Sequence, residues 1–98
     1  MKGINKKIVL KKIEENKQRI KSLGVIKIGI FGSVLKGHFG KKSDVDIIIK
    51  FKEISFDNYA EMFMLLEKIL KRKIDLITES SLRPELEYVK KEAEYAKL

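Results

Sequence analysis

The sequence predicts a small α/β (α+β) domain, a mixed β-sheet flanked by helices in the order α-β-β-α-β-α. Three observations carry this. Apolar residues recur at helical spacing in residues 4–23 and again in 55–71. Three β-branched runs, VIKIGIF, VDIIIKF and KIDLIT, have strand length and strand composition. Finally, 98 residues with 44% hydrophobic content and no repeat or low-complexity tract suit one domain, residues 1–98.

Each element has a local cause. Ile4, Ile8, Val9, Ile13, Ile20 and Leu23 form the apolar stripe of a first helix, and Gly24 is its natural stop. In the strand 25–31, Ile26, Ile28 and Ile30 are expected on one face, with Lys27 and Gly29 on the other. The stretch Gly32 to Ser43 reads as a turn with room for one helical turn. In the strand 45–51, Val45, Ile47, Ile49 and Phe51 share a face. Ser55 or Asp57 can cap the next helix, whose stripe is Tyr59, Met62, Phe63, Leu66, Ile69 and Leu70. The strand 73–78 follows. Pro84 suits the first turn of a last helix with a thin apolar face of Leu86, Val89, Ala93 and Ala96, expected to be loosely held or packed on a partner.

Element lengths constrain the sheet. The second strand covers ~23 Å and the helix after it ~22 Å, so that helix can return the chain to the level where the second strand began. The third strand then runs parallel to the second. The link between the first two strands is too short for a crossover helix, so they pair antiparallel. The end of the first strand and the starts of the other two therefore meet at one edge, which holds Gly32-Ser33, Asp44-Val45-Asp46 and Asp75.

Composition excludes several classes. With no cysteine, the chain has neither a disulfide framework nor a cysteine nucleophile. No apolar run reaches the ~20 residues that span a bilayer, and the N-terminus lacks the pattern of a signal peptide, so the expected setting is cytoplasmic. The net charge of +8 attracts polyanions, with RNA and nucleotide phosphates among the candidates, although a lysine-rich bias of composition accounts for it equally well.

Asp44 and Asp46 are two apart, so on a strand they point to the same face and repel unless a cation lies between them. Asp75 is expected on the neighbouring strand. Three converging aspartates form a hard-oxygen site suited to Mg²⁺, and two such ions can activate an attacking oxygen and stabilise a leaving pyrophosphate. A lone Asp-x-Asp is more often a turn and a surface residue; Asp75 and the glycine turn upstream reverse that balance. Gly32 permits close approach of a phosphate, to which the following amides and the Ser33 hydroxyl can donate. Lys36 can reach a triphosphate as a point charge, whereas His38 reads as a loop residue. Lys41 and Lys42 can neutralise the aspartates or hold phosphates. The run Gly32 to Gly37 matches half of a P-loop, but His38 and Phe39 stand where Lys and Ser/Thr are required, and the chain re-enters a strand by Val45.

The string FGSVLKGHFGKKSDVDIIIKF resembles the nucleotidyltransferase signature of the DNA polymerase β superfamily: Gly-Ser, ten residues, then Asp-x-Asp. KIDLIT adds Asp75 after one helix, and the length resembles that of minimal nucleotidyltransferases, several of which are antitoxins paired with a HEPN protein. The resemblance implies a palm-like mixed sheet in which Asp44 and Asp46 bind two Mg²⁺ ions. Asp75 completes the second metal site and helps deprotonate the acceptor, while Gly32 and Ser33 hold the nucleotide phosphates. It further implies transfer of AMP from ATP to a tyrosine of a HEPN-like toxin in a hetero-oligomer. Two positions depart from the pattern: Lys36, where arginine is frequent, and His38, where an acidic residue is common. A non-catalytic antitoxin and a transferase acting on RNA ends are the alternatives.

Overall fold

In the computed structural model, which describes residues 5–36 and 44–98, the N-terminal helical stripe is divided in two. Asn5 caps α1 (Lys6–Glu15), its side chain accepting from the Ile8 N–H at 3.0 Å. Asn16 then leaves helical geometry (φ −110°, ψ 17°) and its amide donates back to the Lys12 carbonyl at 2.8 Å. α2 (Lys17–Ser22) resumes beyond it, and Gly24, at φ 87°, ends the helical segment as expected. The break keeps Val9 and Ile13 of α1 and Ile20 of α2 all in the core.

Strand β1 (Val25–Phe31) pairs antiparallel with β2 (Val45–Phe51), and β2 pairs parallel with β3 (Ile74–Thr78), both as the element lengths required. The parallel step is made by α4 (Phe56–Leu70). Ser55 caps that helix, accepting from the Asn58 N–H at 3.1 Å, and Lys71 closes it in the left-handed region at φ 53°. One register differs from expectation. Pairing slips between Val25 and Lys27, and such a bulge reverses facing locally. Val25 therefore turns inward, and Ile26, expected beside Ile28 and Ile30, is 48% exposed.

The core lies between one sheet face and the long helices. Ile28 and Ile30, the alternate residues Val45, Ile47, Ile49 and Phe51, and Ile74 and Leu76 meet Met62, Leu66 and Leu70 of α4 and the three residues of α1 and α2. Leu76 is also fastened by its backbone, because the Tyr59 hydroxyl donates to its carbonyl.

The C-terminal segment departs most from the sequence reading. In place of a long helix from Pro84 there is a 3₁₀ turn (Pro84–Leu86), a five-residue α5 (Tyr88–Glu92) and a short strand β4 (Glu94–Tyr95). The sheet order among the described residues is β3-β2-β1-β4. Glu94 and Tyr95 pair with Ile30 and Gly29, and the Ala96 N–H donates to the Ile28 carbonyl at 2.8 Å. The outer edge of β1 would otherwise present unpaired backbone groups, so pairing outweighs continued helix. Gly29 makes the approach possible: a Cβ there would stand 2.9 Å from both the Tyr95 ring and the Glu94 carbonyl oxygen. The Lys27 ammonium lies 4.7 Å from the Tyr95 ring centroid and 3.7 Å from the Glu79 carboxylate. Ile48 and Val89 are buried outside the main core, so the tail closes part of the second sheet face.

Truncation after Ser81 removes β4 and Val89 and should abolish cooperative thermal unfolding; a folded truncated chain would show the tail to be an accessory. Burial, and then the Asp75 charge, raise the Tyr59 pKa above its ordinary 10.0. The folded state thus holds that proton more tightly than the unfolded state. The stabilisation is fully present below pH 10 and is lost as pH rises through the higher folded value. Tyr59→Phe should cost about 1 kcal/mol at neutral pH through the lost hydrogen bond and should flatten the alkaline limb of stability against pH, both measurable by urea unfolding.

Candidate functional site

Register brings the strand ends into one row. Phe31, the last residue of β1, is the Cα partner of Asp46, and Asp46 is the Cα partner of Asp75. Next along the sheet lies the row Gly29, Ile48 and Ile77. Asp46 and Asp75 alternate with the core residues of their strands and so project from the face away from α1, α2 and α4. Neighbouring strands are ~4.8 Å apart, which sets two carboxylates side by side. Asp46 is half-buried and Asp75 exposed; Asp44, one residue before β2, is also exposed.

Gly32 begins α3 (Gly32–Lys36) without a connecting loop, at φ 69°. A Cβ at this position would lie 2.1 Å from a carboxylate oxygen of Asp46. The Asp46 side chain therefore rests directly on the Gly32 backbone, a contact only glycine allows. The short helix is anchored beneath, since Val34 is buried in the core and Leu35 packs against it. β1, α3 and β2 thus place a glycine backbone, a half-buried carboxylate and an exposed one at the same end of the sheet.

The sequence placed Gly32, Asp44, Asp46 and Asp75 at this end, and the structure has them there. The Ser33 and Lys36 side chains, and Gly37 to Ser43 with His38, Lys41 and Lys42, lie outside the described residues. Asp46 and Asp75 are neighbouring carboxylates of the kind hard divalent cations take, on a face open to water and phosphate. Among the described residues, however, no group of three His, Cys, Asp or Glu side chains is gathered as a metal site, so Asp44 does not complete a three-ligand set in this conformation.

Substitution of the glycine should expose the contact. Gly24→Ala meets nothing closer than 3.7 Å, so only its positive φ opposes a side chain; left-handed strain costs roughly 1–2 kcal/mol. Gly32→Ala adds displacement of Asp46 to similar strain and should destabilise more. The double variant Gly32→Ala/Asp46→Ala should recover the excess, giving a coupling of about 0.5–3 kcal/mol in chemical denaturation. Strict additivity would show that the two do not touch.

The chain matches the Nucleotidyltransferase domain family over residues 9–98. A Methanocaldococcus jannaschii protein, MJ1379, a candidate protein adenylyltransferase by its name, is 42% identical over 87 residues, covering 86% of this chain and 80% of that one. The structure of a candidate minimal nucleotidyltransferase matches with a TM-score of 0.73 and 26% identity, covering 96% of this chain and 98% of the other. A Shewanella oneidensis MNT antitoxin complex with a tri-AMPylated HEPN toxin includes a chain of the same fold, at TM-score 0.54 and 19% identity, covering 84% of this chain and 69% of that one. Among the described residues, no helix is long and apolar enough to cross a membrane. The family match spans all four strands and the candidate carboxylates: this protein belongs to the nucleotidyltransferase domain family.

Proposed function

We propose that this chain, acting as one catalytic domain in the cytoplasm, transfers AMP from ATP to a tyrosine hydroxyl of a HEPN-type toxin and so serves as its antitoxin. The observation that carries the reading is the pairing of Asp46 with Asp75 directly beside the Gly32 backbone. Support for the acceptor comes from the AMPylated HEPN toxin of the Shewanella complex, and for the transferred group from the M. jannaschii relative's name.

In this reading Asp46 and Asp75, joined by Asp44 once it turns toward them, would hold two Mg²⁺ ions. When bound, these supply charge neutralisation at the phosphates and a lowered pKa for the attacking oxygen. Gly32 lets the triphosphate approach the backbone, where the first amides of α3, the Ser33 hydroxyl and the Lys36 ammonium donate to its oxygens. Asp75 takes the proton of the acceptor hydroxyl. The acceptor oxygen bonds to the α-phosphorus, the bond from that phosphorus to the bridging oxygen breaks, and pyrophosphate departs with the electron pair. A phosphodiester to AMP remains on the acceptor.

Incubation of a cognate HEPN-type protein with the chain, ATP and Mg²⁺ should add AMP to a tyrosine, detected by mass spectrometry. Asp46→Asn should reduce transfer to background. Without metal it should leave stability unchanged or slightly higher, because two adjacent like charges become one. Wild-type transfer by the Asp44→Asn/Asp46→Asn variant would overturn the site assignment. Toxin neutralisation retained by that inactive variant would show that contact alone protects.

A further inference from the structure

A cavity of about 200 Å³ opens beside the candidate site, between the sheet and the C-terminal segment. Its sheet wall is Phe31 and Ile77, with Gly32 at the end nearest the aspartates. Its outer wall is Leu86, Tyr88 and Val89, with Glu92 supplying a carboxylate. Two of these residues are partly open to water: Leu86 is 38% exposed and Tyr88 53%.

The cavity is continuous with the row of carboxylates. Phe31 is the Cα partner of Asp46, and Ile77 stands two residues beyond Asp75 on the same strand and face. That spacing is ~6.5–7 Å along a strand, a gap that a ribose bridges between an α-phosphate and its base. Pockets for drug-sized ligands run from roughly 300 Å³ upward, so this one suits a flat ring system, with the charged remainder of a nucleotide outside. Aromatic and aliphatic walls favour a stacked base, and the Glu92 carboxylate can accept only from a donor, such as an exocyclic amino group.

We propose that this cavity seats the purine base of a nucleoside triphosphate whose phosphates lie on the Asp46–Asp75 row. The proposal rests on the reading above that this row handles a nucleoside triphosphate. Nucleotide preference then resides in residues 86–92.

Calorimetry on the full chain with Mg²⁺ tests this, using ATP, UTP and inorganic tripolyphosphate as probes. Wild type should bind ATP more tightly than UTP, and both more tightly than tripolyphosphate. Tyr88→Ala should weaken ATP by about tenfold, as loss of a base–aromatic stack implies, and leave tripolyphosphate unchanged. Tyr88→Phe should restore ATP binding. Leu86→Ala should act in the same direction, with circular dichroism confirming the fold. Unchanged ATP affinity in both alanine variants, equal binding of ATP and UTP, or an equal loss for tripolyphosphate would each overturn the proposal. Unchanged ATP affinity with lost transfer to the toxin would assign the cavity to the acceptor side chain instead. Failure of wild type to bind tripolyphosphate or ATP with Mg²⁺ would overturn the underlying reading as well.

Discussion

The parallel pairing of β2 with β3 is the constraint on which the rest of the arrangement depends. It requires α4 to return the chain across the sheet, and it starts both strands at the same end. Parallel strands in register set equivalent positions side by side, so Asp46 and Asp75 become neighbours although 28 residues of chain lie between them. The arrangement concentrates negative charge on the sheet face away from α1, α2 and α4. A core position could not carry it, because an uncompensated carboxylate inside protein costs several kcal/mol. The exposed face can, because water screens the pair.

Backbone without side chains sets the fine geometry at two places, within β1 and just beyond its C-terminal end. At Gly32 the absence of a Cβ lets the Asp46 carboxylate lie against the chain. At Gly29 the same absence lets β4 come close enough to pair and Tyr95 to cover the strand. One approach shapes the candidate site; the other secures the segment that walls the adjoining cavity. The Lys27 ammonium serves the second purpose again, lying over the Tyr95 ring and close to Glu79. A cation held over an aromatic face while facing a partly buried carboxylate is less screened than an ordinary surface pair.

The two sheet faces divide the labour. The face under α1, α2 and α4 is continuous aliphatic core, whose close packing resists displacement of the strands that carry the carboxylates. The other face passes from Asp46 through Ile48 to Lys50 along β2, and from Asp75 to Ile77 along β3. Among the described residues the tail covers its middle, and Asp44 and Asp75 stay exposed.

Much of this was legible in the residues. Period-two and period-3.6 patterns located β1, β2, β3 and α4, and element lengths required the antiparallel and parallel pairings. From those pairings the meeting of Gly32, Asp46 and Asp75 follows. The signature spacing from Gly32-Ser33 to Asp44 and Asp46, with Asp75 after one helix, named the family. Local pattern could not supply the bulge that turns Val25 inward and Ile26 outward, because one inserted residue reverses facing without altering hydrophobicity. It could not supply β4 either: residues 84–96 carry a helical stripe, and they abandon it only because β1, far away in sequence, offers unpaired backbone beside a glycine. Periodicity and chain length are properties of neighbours in sequence, and they sufficed for the elements and their order. The closing strand, the cavity it helps to form and the seating of Asp46 on Gly32 depend on contacts between distant segments, which exist only once the sheet has assembled.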